Sequence, residues 1–227
     1  MWTGEAPGAD RPGLYSAPMD VLRSLLITVG PIVAAYLIGG IPWGIVIAKV
    51  VGGPDPRTIG SGRTGGANVA RTLGPRWAAL AGVLDVLKGV VAAAIPILLG
   101  SGSIVVVLSA LMAIVGHSRS PYIHFGGGRG VSVGLGGLLA IAWPAAVVAV
   151  PVFVIVLVAT HISSMASLSA SAVAGLAMIV VTALAGLSPV YYAYAVAGTA
   201  LIWAFHHDNI RRLLAGEERR FGRSGRG

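Results

Sequence analysis

The stretch VSVGLGGLLAIAWPAAVVAVPVFVIVLVAT, Val131 to Thr160, carries no charge and would run about 45 Å as a single helix at 1.5 Å per residue. The hydrocarbon core of a bilayer is about 30 Å thick, so this run is too long for one crossing. Trp143-Pro144 offers a break, because proline removes a backbone N–H and clashes with the turn before it. The run therefore reads as two short helices.

The rest of the chain has the same character. Of 227 residues, 56% are hydrophobic and 11% are charged, and the mean hydropathy is +0.84, far more apolar than a soluble domain of this length. The expectation is an all-α integral membrane protein with one membrane domain over residues 24–206, an N-terminal tail over 1–23 and a basic tail over 207–227. The first stretch lacks the compact apolar core and small-residue cleavage site of a signal peptide, so the first helix is expected to be retained. Cysteine is absent, which excludes thiol nucleophiles, disulfides and thiolate metal sites. No internal repeat is visible.

Seven apolar segments follow from this reading: Ser24–Ala48, Trp77–Leu99, Ile104–Val115, the two halves of Val131–Thr160, Leu168–Ala185 and Pro189–Phe205. Ile104–Val115 falls short of a full span and runs into Gly-rich chain, the pattern of a re-entrant segment covered by protein or water. With seven crossings, Lys49–Arg76, Gly116–Gly130, His161–Ser167 and the C-terminal tail share one side. Apart from Lys88, thirteen basic residues lie there, against Arg11 and Arg23 at the other end. The positive-inside rule then puts the N-terminus outside and the C-terminus in the cytoplasm, joined by short re-entrant or interfacial polar loops. The net charge of +8 is thus clustered at the ends of apolar runs, and no nucleic-acid partner is expected. Six crossings would export the arginine-rich tail.

One polar island stands out, Gly60-Ser61-Gly62-Arg63-Thr64-Gly65-Gly66-Ala67-Asn68-Val69-Ala70-Arg71-Thr72-Leu73-Gly74. Glycine lets backbone N–H groups approach an oxyanion, and arginine offers a fork of donors that fits phosphate. If a short helix begins at Asn68, that residue caps it and Arg71 turns to the same side, with free N–H groups facing an anion. Topology alone would explain the arginines, but not Ser61 between two glycines or Asn68 three residues before Arg71. A second island, Gly126-Gly127-Gly128-Arg129-Gly130, resembles a phosphate-cradling loop without being a Walker A sequence. A flexible hinge would need no Arg129. His117 and His124 are candidate acid/base groups.

Asp85 and Lys88 lie three apart on one helix face and are the only charges inside a span, read either as a structural ion pair or as a substrate contact. His206 and Asn209, also three apart, precede Arg211, Arg212 and Glu218. They form either an interfacial basic helix at anionic headgroups or a wall that closes the site. Gly130-Val131-Ser132-Val133-Gly134 matches the serine-hydrolase elbow in letters only, because that elbow needs a strand before it and this run looks helical.

These motifs, in this order, resemble the bacterial acyl-phosphate:glycerol-3-phosphate acyltransferases of the PlsY type. Gly60–Gly74 matches the family's GSGNPGATNVLRTLG, Gly116–Ser132 matches its GHxFPVFLKFKGGKGVA loosely, and His206–Glu218 matches H-x-x-N-I-x-R-L-x-x-G-x-E. Ile41-Pro42-Trp43-Gly44 and Asp85-Val86-Leu87-Lys88-Gly89 resemble further family stretches, and the likeness runs from about Gly39 to Glu218. The departures move positive charge without removing it. Arg63 replaces asparagine, Gly66-Ala67 replaces Ala-Thr, Arg119 replaces phenylalanine, His124 and Gly126 replace lysines, and Arg129 replaces the loop lysine.

The resemblance implies a seven-helix enzyme of the bacterial inner membrane, its site facing the cytoplasm. It would transfer an acyl chain from acyl phosphate to the 1-hydroxyl of glycerol 3-phosphate, giving lysophosphatidate and inorganic phosphate. It implies catalytic roles for Ser61, Arg71, His206 and Asn209. Substrate binding would fall to Gly60, Gly62, Asn68, Gly127, Gly128, Arg129, Ser164, Ser167 and Lys88, with Asp85 and Glu218 structural. No cofactor or metal is expected, and the partners are the two substrates, the bilayer and, transiently, a soluble enzyme that makes acyl phosphate. The other glycerolipid acyltransferase pattern, H-x-x-x-x-D, is absent: the residues five after each histidine are Tyr122, Arg129, Ala166, Arg211 and Arg212. A membrane transporter for a phosphorylated organic anion is the rival reading, since short helices and glycine-rich breaks also build transport sites.

Overall fold

The computed structural model describes residues 16–221, so the expectations for residues 1–15 and 222–227 lie outside the described residues. Among those described, the chain is helical without a strand: α1 (Ser16–Gly40), α2 (Trp43–Val50), α3 (Gly66–Leu73), α4 (Pro75–Leu98), α5 (Ser103–Ser118), α6 (Val131–Thr160), α7 (Ser163–Leu184), α8 (Tyr191–Phe205) and α9 (His207–Leu214). Five helical stretches are long and apolar enough to cross a membrane, Val21–Gly40, Pro75–Leu98, Ser103–Ile123, Val131–Thr160 and Ser163–Leu184, and Tyr191–Phe205 is a shorter apolar helix. Leu26, Val33, Val83, Val91, Ile155, Leu176 and Val180 are exposed along these helices, as lipid-facing positions should be.

Two breaks shape the fold. The first corrects the expected continuous span Ser24–Ala48: α1 stops at Gly40 and α2 begins at Trp43. Pro42 has no N–H to give and disfavours helical geometry at Ile41, so the carbonyls of the last turn lose their partners. Side chains from elsewhere supply them. Lys88 Nζ donates to the Ile41 carbonyl at 2.8 Å and Ser120 Oγ to the Gly40 carbonyl at 2.6 Å.

The second break lies inside α6, where Ala142 leaves helical geometry (φ −153°, ψ 71°), one residue before the expected Trp143-Pro144. The chain doubles back there. Gly134 and Leu138 before the break line the same cavity as Ala149 and Phe153 after it, although a straight helix would hold residues 134 and 153 about 28 Å apart.

Small residues set the packing, as expected where lipid offers no hydrophobic drive between helices. Gly89 on α4 and Gly136 on α6 each rest on the other helix's backbone, and Gly39 and Gly116 do the same for α1 and α5. A methyl group at any of the four would overlap a carbonyl. The core these contacts surround is rich in alanine, closed by Ile114, Met178 and Tyr194.

Candidate active site

The first island folds as a loop wired by one side chain. Asn68 sits in the first turn of α3, but the N-cap is Gly65, which corrects the expectation that Asn68 caps this helix. Its amide turns back over the loop instead. Nδ2 donates to the carbonyls of Pro56, Ile59 and Arg63, and Oδ1 accepts from the Ser61 N–H at 3.2 Å. Gly60 takes φ +63° against that amide, where a side chain would strike Oδ1. Ser61 is half-buried, and α3 opens on Gly65 without a side-chain cap, so its first N–H groups stay open. Upstream, the Arg57 guanidinium grips Asp55 and holds its carboxyl below the usual carboxylate range.

The second island is shaped by sterics. The Gly128 N–H donates to the His117 carbonyl at 3.0 Å, and Gly127 and Gly128 press so closely on His117 that a Cβ on either would overlap it. These glycines let the loop lie against the end of α5, which carries Arg129 to the polar end of the bundle. The two islands meet there: a methyl group on Gly65 would lie 4.0 Å from Gly128 Cα.

His117 is held from the other side. Lys88 Nζ donates to His117 Nδ1 at 3.0 Å and pairs with Asp85 Oδ1 at 2.9 Å, in addition to its bond to Ile41. The ammonium thus has two hydrogen-bond acceptors and one ion-pair partner within the protein and is 4% exposed.

The third contribution comes from α8, α9 and the chain after them. His206 Nδ1 lies 2.7 Å from the Ile202 carbonyl. A carbonyl has no proton to give, so Nδ1 carries it and Nε2 is left as the acceptor. Burial, with Arg129 and Arg63 nearby, pushes the His206 pKa down to about 4, so the ring is neutral at physiological pH. Asn209 Nδ2 and Arg212 Nε both donate to Glu218, at 3.0 Å each, and Arg63 pairs with Asp208 at 3.5 Å. Arg71 stacks on the Phe221 ring, 4.9 Å from its centre, while the Phe221 N–H donates to the His161 carbonyl. The end of the described chain therefore spans from the first island to the α6–α7 junction, above Ser164 and Ser167, both buried on the first turns of α7.

The charges around this cluster do not cancel. Asp208 and Glu218 are taken by Arg63 and Arg212, so Arg129 and Arg71 have no carboxylate partner among the described residues. Burial, and next Arg63, pushes the Arg129 guanidinium down to about 10, and burial lowers Arg71 as well. Arg129 Nε, Ser164 Oγ and Asn209 Oδ1 are buried without a hydrogen-bond partner among the described residues. Trp43 Nε1, Asp85 Oδ1, Ser109 Oγ, Ser118 Oγ and Thr182 Oγ1 lack a hydrogen-bond partner as well, so what sets this end apart is that three such atoms accompany arginines without carboxylates.

Of the expected site residues, Ser61, Arg71, Arg129, His206, Asn209 and Glu218 gather at one end, whereas Asp85 and Lys88 lie below, under the loop. Asp208 and Phe221 were not foreseen. A lone aromatic after five charged or glycine residues is the only hint that Phe221 offered.

The family model for glycerol-3-phosphate acyltransferase matches residues 29–216. A glycerol-3-phosphate acyltransferase of Synechococcus sp. (strain JA-2-3B'a(2-13)) is 43% identical over 202 residues, covering 89% of this chain and 96% of the relative. Glycerol-3-phosphate acyltransferase 3 of Dehalococcoides mccartyi (strain ATCC BAA-2266 / KCTC 15142 / 195) is 36% identical, covering 92% and 100%. Among solved structures, the glycerol 3-phosphate form of PlsY, an integral membrane glycerol 3-phosphate acyltransferase, superimposes with a TM-score of 0.79 at 35% identity, covering 86% of this chain and 96% of that one. Its lysophosphatidic acid form gives 0.78.

Proposed function

Because the chain belongs to the glycerol-3-phosphate acyltransferase family, and acyl transfer to glycerol 3-phosphate at a membrane is its reaction, we propose that acyl phosphate is the donor and that the arginine-rich end holds both phosphates. The observation that carries this reading is Arg129: mostly buried, without a carboxylate, its Nε unbonded among the described residues. An anion supplies what it lacks. The transporter reading finds no support among the relatives.

Acyl phosphate is a mixed anhydride with a good leaving group, so the protein needs to position two phosphates and stabilise charge; it need not be acylated. The glycerol 1-hydroxyl oxygen attacks the acyl carbonyl carbon, the bond from that carbon to the phosphate oxygen breaks, and phosphate leaves with the electron pair. The hydroxyl proton passes to His206 Nε2 or to a substrate phosphate oxygen. Arg129 and the uncapped N-terminus of α7 at Ser164 and Ser167 take one phosphate. Arg71 and the loop around Gly60, Ser61 and Gly62 take the other, with Asn209 oriented by Glu218. Lys88 is reassigned with Asp85 to support, since its donors are occupied, and Asn68 to shaping the loop. Gly127 and Gly128 admit the loop against His117.

We extend the reading to topology. The two arms of α6 and the short α8 make seven crossings, with the N-terminus outside and the arginine-rich end in the cytoplasm of a bacterial inner membrane, where a soluble enzyme delivers acyl phosphate. Because the chain has no cysteine, single cysteines placed at Arg63 and Ser101 test this by labelling in oriented vesicles. Equal labelling from one side would sink it.

The reaction itself is tested with purified protein, palmitoyl phosphate and glycerol 3-phosphate, with palmitoyl-CoA as the control donor. Lysophosphatidate from the acyl phosphate alone is the expected result. Product from palmitoyl-CoA alone, or from neither donor, would overturn the assignment of the donor.

A further inference from the structure

Below the arginines, α5, α6, α7 and α8 line a partly open apolar cavity of about 190 Å³. For scale, an apolar cavity of about 150 Å³ stays dry and takes up benzene. Apart from Ser132, its polar side chains give their protons to backbone carbonyls. Tyr194 OH donates to the Gly134 carbonyl, Thr199 Oγ1 to the Ser171 carbonyl, and Ser171 Oγ to the Leu168 carbonyl. What remains is a hydrocarbon-like lining.

Three walls of the cavity begin close to residues already placed in the site. The α8 wall starts at Ile202, whose carbonyl holds His206, and runs to Tyr194. The first arm of α6 starts at Val131, two residues after Arg129, and runs to Leu138. The α7 wall starts at Ala170, one turn beyond Ser167, and runs to Met178. Each wall descends about 10 to 12 Å at 1.5 Å per residue, and each ends on a large buried side chain: Leu138, Met178 and Tyr194.

We infer that this cavity receives the acyl chain of the donor, that it holds about the first ten carbons, and that Ala174 and Met178 set that measure. The length follows from extended-chain geometry, in which about 1.2 Å is gained per bond, so a descent of about 12 Å takes about ten carbons. The inference rests on the acyl phosphate reading. Ala174 lies midway down the α7 wall, where a larger side chain fills the space, and Met178 stands at its end. Each methylene denied burial costs about fourfold in kcat/KM, equivalent to about 0.8 kcal/mol.

The test measures kcat/KM for butyryl, hexanoyl, octanoyl, decanoyl, dodecanoyl and palmitoyl phosphates with glycerol 3-phosphate, reading ratios between chain lengths within one preparation so that the folded fraction cancels. Ala174→Leu should lower the decanoyl-to-butyryl ratio at least tenfold relative to the parent, with the deficit level from decanoyl to palmitoyl. Met178→Ala should move the length at which that ratio levels off upward by about two carbons. The lipid-facing control Val196→Leu should leave the ratio where it was. An Ala174→Leu ratio equal to the parent's, or an equal fall in Val196→Leu, overturns the pocket while leaving the reaction standing. No product from any donor overturns the donor assignment and the pocket with it.

Discussion

Two buried cations, Lys88 and Arg129, sit on opposite sides of His117 and the loop it carries, and only one of them is finished. Lys88 has three partners, hydrogen bonds to the Ile41 carbonyl and His117 Nδ1 and an ion pair with Asp85, and the first of these exists because Pro42 broke a helix. Arg129 has no carboxylate, and its Nε has no acceptor among the described residues. Both are arranged with care, so the difference marks a division of labour. On the proposed reaction, the charge whose partners are internal supports the fold, and the charge left short of a partner is the one offered to the substrate.

Single substitutions separate the two cations. The largest effect should come from Lys88→Met, which strands Asp85 and should cost about 3–5 kcal/mol in a denaturation assay in detergent. Adding Asp85→Leu should recover most of it; no recovery would mean that Lys88 acts other than by pairing. Arg129→Ala should lower kcat/KM by about 10²- to 10³-fold with the thermal midpoint unchanged or raised, since the substitution removes an unpaired buried charge. A lowered midpoint would place Arg129 with Lys88. Asn68→Ala should leave loop carbonyls unsatisfied and cost about 1–3 kcal/mol. Inorganic phosphate at ten times its dissociation constant should stabilise the parent by about 1.4 kcal/mol, and Arg129→Ala by much less.

The last effect is absent at neutral pH and appears only in acid. His206 has a folded pKa near 4, below its unfolded value of about 6.5, so the folded state binds fewer protons between those limits. Its contribution is intact above pH 6.5 and is lost as the pH falls toward 4. The parent should therefore lose stability over that window relative to His206→Gln. Bound phosphate should raise this pKa, so that the acidic limb of kcat lies at higher pH than that of kcat/KM.

What could be read in advance was what is local. The α6 break was legible to within one residue because proline chemistry acts on its own neighbourhood, and Ala142 adjoins Trp143-Pro144. The α1 break was less legible: Pro42 within Ser24–Ala48 announces at most a bend, which membrane helices tolerate. What makes a full break tolerable is Lys88, 47 residues away in sequence, and no local pattern announces it. Asn68 was assigned a cap for the same reason. Its residue type suits capping, and only the return of the loop over α3 brings four backbone partners to its amide. The tail was read either as an interfacial basic helix or as a wall that closes the site, and its own ties were not legible: Glu218 and Phe221 bind it to Asn209, Arg212 and Arg71. Long-range closure of this kind depends on where the helices deliver the chain.

The fold in α6 bears on where the chemistry sits relative to the lipid. Its first arm, residues 131–142, reaches about 18 Å, short of a hydrocarbon film about 30 Å thick. If that arm crosses, Arg129 and Trp143 cannot stand at opposite surfaces unless the film is pinched between them. Trp143 is 64% exposed and has the amphipathic ring that anchors at an interface, which leaves the arginine end as the recessed one. Depth-resolved quenching of single labels at residues 129 and 143 would decide which end is sunk. On the proposed reaction and topology, that geometry would let an acyl donor dissolved in the leaflet slide in sideways, its tail never leaving oil, while the water-soluble acceptor descends to meet it.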